Sequence, residues 1–164
     1  MNIFFTDSDP VAAAKSLPDK RIVKMPVEAV QMLVSVCQRH GLDHGVVTKA
    51  GTEHKGGYAN HPCTIWAGDC YKNAAWTWDW AIALCNEYTK RYGKHHFAEQ
   101  QLAQLDRVIW ALPDGDMTSP ALAMPDECKC DNAVDSYRNC IRAKVAEKPD
   151  SFVWAKGTAA PAWL

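Results

Sequence analysis

Apolar positions recur with a helical period over much of this chain, most plainly between residues 19 and 40. Val23, Val27, Val30, Val34 and Cys37 follow one another at spacings of 4, 3, 4 and 3. Ile22, Ala29, Leu33 and Val36 widen the same apolar face. The pattern predicts a long helix capped by Asp19 and stopped near His40 by Gly41. Pro26 lies inside it, so a kink, or a restart with Pro26 in the first turn, is expected there. Ahead of it, Asp9-Pro10 reads as a cap and a first helical residue, opening a short helix through "VAAAKSL". The start, "NIFFTD", reads as a short strand or an extended N-terminal arm.

Residues 41–66 lose the period. Gly41, Gly45, Gly51, Gly56 and Gly57 break them into a long surface excursion that ends at "YANHPCTIW". Pro62 biases His61 toward extended backbone, so that its ring projects from a defined position. A second long helix follows, capped by Asp69 and running to Tyr92, with Gly93 behind it. Ala75, Trp78, Ile82, Cys85 and Tyr92 form one of its stripes; Asn73, Trp76, Trp80, Leu84, Glu87 and Arg91 form another. Glu87 and Arg91 stand at i and i+4, a modest helix-stabilising pair. With tryptophans on both stripes, at least one side belongs to the core. "HFAEQQLAQLDRVIWAL" reads as a third substantial helix, closed by Pro113-Asp114-Gly115. After a proline-rich loop, Asp131 caps a last helix to about Glu147, with Val134, Tyr137, Ile141 and Val145 inward. The aromatic tail is expected to pack back onto the body. Together these elements predict a compact, all-α, single-domain helical bundle with long loops, spanning 1–164.

The polar side of the first long helix carries candidate chemistry. Arg21, Lys24, Glu28, Gln31, Ser35 and Gln38 recur at 3 and 4, which lines them along one side. A solvated face is the ordinary meaning of such a row. Two cations, a carboxylate and an amide within two turns also suit a site. The cations favour the ionised form of Glu28.

Composition sets limits. The chain has 164 residues, enough for one core without metals or disulfides. No apolar run approaches the roughly 18–20 residues that cross a bilayer, and "MNIFFTDSDP" lacks the features of a signal peptide. Cytoplasmic location is expected, in the host cytoplasm if the gene is a phage's. Seven cysteines without a secretory signal read as reduced thiols. Cys128 and Cys130 make a CxC pair with no second knuckle, so no metal or cofactor is expected. The net charge of −1 counts against tight duplex binding, since phosphate neutralisation supplies most non-specific affinity. Phosphate-cradling glycine motifs, the GxSxG elbow and HExxH are absent. On an extended strand Cys63 and His61 would share a face, but nothing supplies the third, orienting group of a thiol nucleophile.

The order "MNIFFTDSDPVAAA", "DKRIVKMPVEAVQML", "NHPCTIW" and "ALCNEYTKRYGKHH" resembles phage and bacterial proteins of the pyrimidine-dimer DNA glycosylase, or endonuclease V-like, family. The likeness covers roughly residues 1–96 and extends loosely to the aromatic tail. It implies a compact all-α protein that acts on DNA by flipping a nucleotide out of the stack. It also implies an N-terminal α-amine, exposed by loss of the initiator Met, that attacks the deoxyribose anomeric carbon and forms an imine. By position, Glu28 would be the assisting carboxylate, with Arg21, Lys24 and Gln31 around it and Asn2 at the terminus. Asn60 and His61 match the family's NHP motif, which makes His61 a catalytic candidate and Asn60 a substrate-binding one. The chain departs from the pattern at position 2, where the bulk of Asn2 favours retention of Met1, and in its slight acidity. Trp66, Asn73 and Trp76 are candidates for contact with the base. Three functions are open from the sequence: glycosylase or lyase; a transferase that hypermodifies a DNA pyrimidine on the same scaffold; and a non-catalytic protein- or nucleic-acid-binding module. DNA is the expected partner, with low affinity, and no membrane. The oligomeric state is left open.

Overall fold

The computed structural model describes residues 2–164. Six helices make up the body: α1 Pro10–Lys15, α2 Asp19–Arg39, α3 Pro62–Ala67, α4 Tyr71–Tyr92, α5 Ala98–Ile109 and α6 Ala133–Glu147. No strand occurs among the described residues, only an isolated bridge between Val47 and Glu53. The protein is all-α. Helices α2 and α4 pack on each other, α1 lies on α4, α5 rests on both long helices, and α3 closes on α2.

Local chemistry accounts for most boundaries. Asp9 accepts from the Val11 amide at 2.9 Å, with Pro10 as the first helical residue of α1. Helix α2 ends at His40, followed by Gly41 at φ +66°, and α4 ends at Gly93 with the same φ. Three expected caps are displaced. Asp19 stands inside the first turn of α2 behind Pro18, where an acid suits the helix dipole. Its carboxylate accepts instead from Arg91, at 3.2 Å, and from the Ala155 amide, at 2.8 Å. Cys70, not Asp69, precedes α4, and the Tyr71 amide donates to the Pro113 carbonyl. Asn132, not Asp131, caps α6 by accepting from the Asp135 amide at 2.8 Å.

Helix α2 runs through Pro26 as one element, with no restart there. Its inward face is centred on Ile22, Met25, Ala29, Leu33 and Val36, all at most 1% exposed. Val23 and Val27, expected inward, are 42% and 44% exposed. They look onto an open groove beside α4 and the His95–Gln101 segment, so the apolar stripe is rotated from the one read off the valines.

The N-terminal arm is not a surface strand. Ile3, Phe4, Phe5 and Thr6 are all buried, and Phe5 lies in a cluster of rings with Trp66 and Trp76. Arg138 of α6 donates to the Thr6 carbonyl at 2.9 Å and fixes the arm from outside. The tail packs back as expected: Trp154 Nε1 donates to the Ser16 carbonyl at 3.0 Å. Beneath it Arg91, whose side chain is wholly buried, donates to the Leu17 and Lys15 carbonyls, to Asp19 and to Glu87. What read as a modest i,i+4 helix pair is therefore a buried junction of α1, α2 and α4.

Candidate active site

Buried arm and long helix together shape a cleft of about 250 Å³. Asn2 and Phe4 supply one wall, Arg21, Lys24 and Glu28 of α2 the second, and Ala123 to Pro125 with Cys140 and Lys144 the third. Three positions on the polar row of α2 meet there because residues 21, 24 and 28 share one side of a helix. Asn2 joins them because its amide is held at both ends. Its Nδ2 donates to the Ala123 carbonyl at 3.1 Å, and its Oδ1 accepts from the Phe4 amide at 2.8 Å.

Glu28 is 6% exposed, although its row was expected to be solvated. Lys24 Nζ lies 2.9 Å from its Oε1, reaching in from a side chain that is 63% exposed. Arg21 spans the floor, its guanidinium 5.5 Å from the centre of the Phe4 ring and 5.7 Å from that of Phe152. With Lys144 added from α6, three cations and one carboxylate line the cleft, a local positive excess in a chain of net charge −1. A buried carboxylate flanked by cations suits anionic nucleotide groups around a reacting centre. Cys140 borders the cleft as a thiol, its pKa raised chiefly by burial.

His61 stands at the N-cap of α3 with φ −70° and ψ 138°, the extended backbone expected of a residue before proline. Its Nδ1 accepts from the Cys63 amide at 3.2 Å, which leaves the proton of the neutral ring on Nε2. Burial holds the imidazole pKa below its ordinary value, and the Glu28 carboxylate pulls it weakly the other way. His61 is thus within electrostatic reach of Glu28 but does not line the cleft. Gln31 packs beside Gly57, one turn further along α2, and Asn60 is exposed in the same loop. The segment "PCTIWA", expected as loop, is helical, which turns Cys63 inward. Its Sγ is 3.7 Å from the Tyr137 hydroxyl, and burial raises its pKa, so it has none of the thiolate character of a nucleophile.

Trp66, Asn73 and Trp76 stand apart from the cleft. Asn73 is fully buried and clamps the 118 loop, donating to the Trp66 carbonyl at 2.7 Å and to Thr118 Oγ1 at 2.8 Å, and accepting from the Thr118 amide at 3.0 Å. The indole nitrogens of Trp66 and Trp76 donate to the Thr118 and Ser8 carbonyls. Phe5 and Trp76 have ring centres 4.5 Å apart. These groups form the wall that seats the arm. Sequence reasoning missed Phe4, Cys140 and Lys144, which reach the cleft only through the fold and carry no local signal.

A larger groove, of about 910 Å³, lies on the adjoining side of α2 between Val23, Val27, Tyr88, His96 and Phe97. It lacks a buried carboxylate among cations, so the candidate chemistry belongs to the smaller cleft. Among the described residues no group of three or more His, Cys, Asp or Glu is gathered to hold a metal ion. Among the same residues no helix is long and apolar enough to cross a membrane.

Neither a curated protein nor a solved structure matches the chain. The family described as pyrimidine dimer DNA glycosylase matches residues 1–100, which contain the arm, α1 to α4 and four of the cleft's charged and amide groups, Asn2, Arg21, Lys24 and Glu28. With well over half of the sequence matched, the chain belongs to the pyrimidine dimer DNA glycosylase family.

Proposed function

We propose that the protein acts on a flipped pyrimidine nucleotide in DNA, cleaving its glycosidic bond and then the strand. The observation that carries this reading is the meeting of Asn2, Arg21, Lys24 and Glu28 in one cleft, in a chain of a DNA glycosylase family. A flipped base brings its sugar and two phosphates with it. Arg21, Lys24 and Lys144 neutralise the phosphates, and the Glu28 side chain faces the sugar.

In the reaction an amine nitrogen attacks C1′, the glycosidic bond breaks, and the base leaves with the bonding pair and gains a proton. Loss of a proton from the amine nitrogen frees its lone pair to break the C1′–O4′ bond; O4′ leaves with the bonding pair and gains a proton, and an iminium joins the enzyme to the ring-opened sugar. Glu28 offsets the positive charge that develops on the sugar and takes the amine proton. Abstraction of a C2′ proton then expels the 3′ phosphate, and water releases the enzyme. The attacking amine is that of Met1, which lies outside the described residues, or that of Asn2 once Met1 is lost.

Borohydride reduction during incubation with a duplex carrying an abasic site tests the proposal. The expected product is a covalent adduct mapped by mass spectrometry to the N-terminal peptide. Glu28→Gln should lower turnover of dimer-containing duplex by about 10²–10⁴-fold, with affinity for that DNA nearly unchanged. An adduct on any other residue, or full turnover by the Gln variant, sinks this chemistry. Binding without product in the wild type would instead indicate a binding module, and a base of altered mass a transferase.

A further inference from the structure

Tyr58 has no place in the cleft, yet its setting is unusual for a loop residue. Its side chain is 61% exposed, and among the described residues no ring stacks on it and no hydrogen bond holds its hydroxyl. Its backbone lies at φ 57°, a region that a non-glycine aromatic seldom occupies. The segments on either side are fixed. Ser35, 3% exposed, accepts from the Gly57 amide at 2.9 Å and donates to the Gly57 carbonyl at 3.1 Å. Arg39 donates to the Ala59 carbonyl at 2.9 Å, and the His61 amide to the Tyr58 carbonyl at 2.9 Å. Gly56 is itself at φ +68°, and a Cβ there would come within 2.4 Å of Ser35 Oγ. The loop is thus clamped to the row on α2 that carries Glu28, roughly 10 Å further along the axis at 1.5 Å per residue.

We propose that Tyr58 is a stacking wedge: its ring enters the DNA stack where the nucleotide beside it has been withdrawn into the Glu28 cleft. This rests on the DNA-processing reading above. Withdrawal of a nucleotide leaves an unstacked base step, and an aromatic side chain carried on a clamped backbone at that step recovers part of the lost stacking. A strained backbone at an exposed position is kept only where the surroundings enforce it, and such strain gathers at functional sites. The more exposed Trp110, at 65%, does not fit the same role. It is already stacked on Tyr71, with ring centres 4.5 Å apart, and the charges felt there are those of Asp79 and Asp106, which repel phosphate.

The test compares wild type, Tyr58→Ala, Tyr58→Trp and Tyr58→Gly for affinity to two duplexes, one intact and one with a tetrahydrofuran abasic-site analogue. The wild type should prefer the abasic duplex, and the Ala and Gly variants should bind it about 5- to 150-fold more weakly. Affinity for the intact duplex should stay the same, and Trp should retain the preference. Gly accepts a positive φ without strain, so Tyr58→Gly should melt at the wild-type temperature or about 2–4 °C above it. An abasic preference that survives in the Ala variant overturns the wedge and leaves the enzyme reading standing. A lowered melting temperature in the Gly variant also overturns it, since the ring would then serve the fold. If the wild type has no abasic preference, the wedge and the flipping step fall together, whereas absence of a borohydride adduct alone removes only the amine chemistry.

Discussion

Phe4 is held at φ 41°, a conformation that costs an L-residue about 1–2 kcal/mol. Two hydrogen bonds define the turn: Asn2 Oδ1 accepts from the Phe4 amide, and the Thr6 amide donates to the Phe4 carbonyl at 2.7 Å. Burial of Ile3, Phe4 and Phe5 offsets the strain, at about 1.5–3 kcal/mol for each large apolar side chain removed from water. Asn2→Ala deletes one bond of the turn and the bond to Ala123, and leaves a partly buried amide and carbonyl to find other partners. We expect a loss of about 1–3 kcal/mol in urea denaturation, together with a fall in activity as the cleft wall loosens. Unchanged stability would mean that the turn holds without its side-chain acceptor. At this scale the sequence was only partly legible. "NIFFTD" has no alternation, so nothing in its pattern distinguishes an exposed arm from one threaded through the core. Glu28 was visible as part of a polar row, but its burial was not. That burial comes with a cleft whose other walls, Asn2, Ala123 and Lys144, lie far from it in sequence.

Among the elements, α2 bears Arg21, Lys24 and Glu28 of the cleft, and its first turn is anchored by Arg91 of α4. The guanidinium donates Nη1 to the Leu17 carbonyl at 2.7 Å and to Asp19 at 3.2 Å, Nη2 to the Lys15 carbonyl at 3.1 Å, and Nε to Glu87 at 3.0 Å. A lysine is a point charge and cannot make these bonds in four directions. Arg91→Met would leave Glu87 and Asp19 buried without their shared cation, and should cost about 3–5 kcal/mol in urea denaturation. A loss below about 1 kcal/mol, the worth of an exposed pair, would show that the junction is solvated in solution. Helix extents were legible because glycines and prolines bound helices by local means, as Pro10 does at the start of α1 and Gly41 and Gly93 do past the ends of α2 and α4. The sense of each charged pair was not. Spacing places Glu87 beside Arg91, but only the crossing of α1 and the tail over them decides that the pair is buried. The same reason explains Val23 and Val27. Helical period gives a set of positions, and the neighbours decide which side of it faces inward.

For the whole molecule, the response to mild acid falls on three histidines outside the helices. His54, His61 and His96 all have imidazole pKa values below the ordinary 6.5, in each case chiefly because burial disfavours the charged ring. Below about pH 6.5 the unfolded chain takes up protons that the folded chain binds less readily. The stabilising contribution of these rings is therefore complete above that pH and is lost as pH falls through the folded values. For His61 the geometry adds a consequence to burial: protonation of Nδ1 removes the acceptor that caps α3 at the Cys63 amide. His96 stacks edge-on against Tyr88 and bonds the Val23 carbonyl, so its titration acts on the larger groove. The melting temperature should then fall between about pH 7 and pH 5.5, a window above the ordinary titration of Asp and Glu. His61→Asn keeps a side-chain oxygen at the cap and has no proton to gain, so its melting temperature should fall less steeply over the same window. A wild-type melting temperature that is flat or rises on acidification would contradict this sign. An equal slope in the Asn variant would assign the effect to His54 and His96 and remove the α3 cap from the pH response.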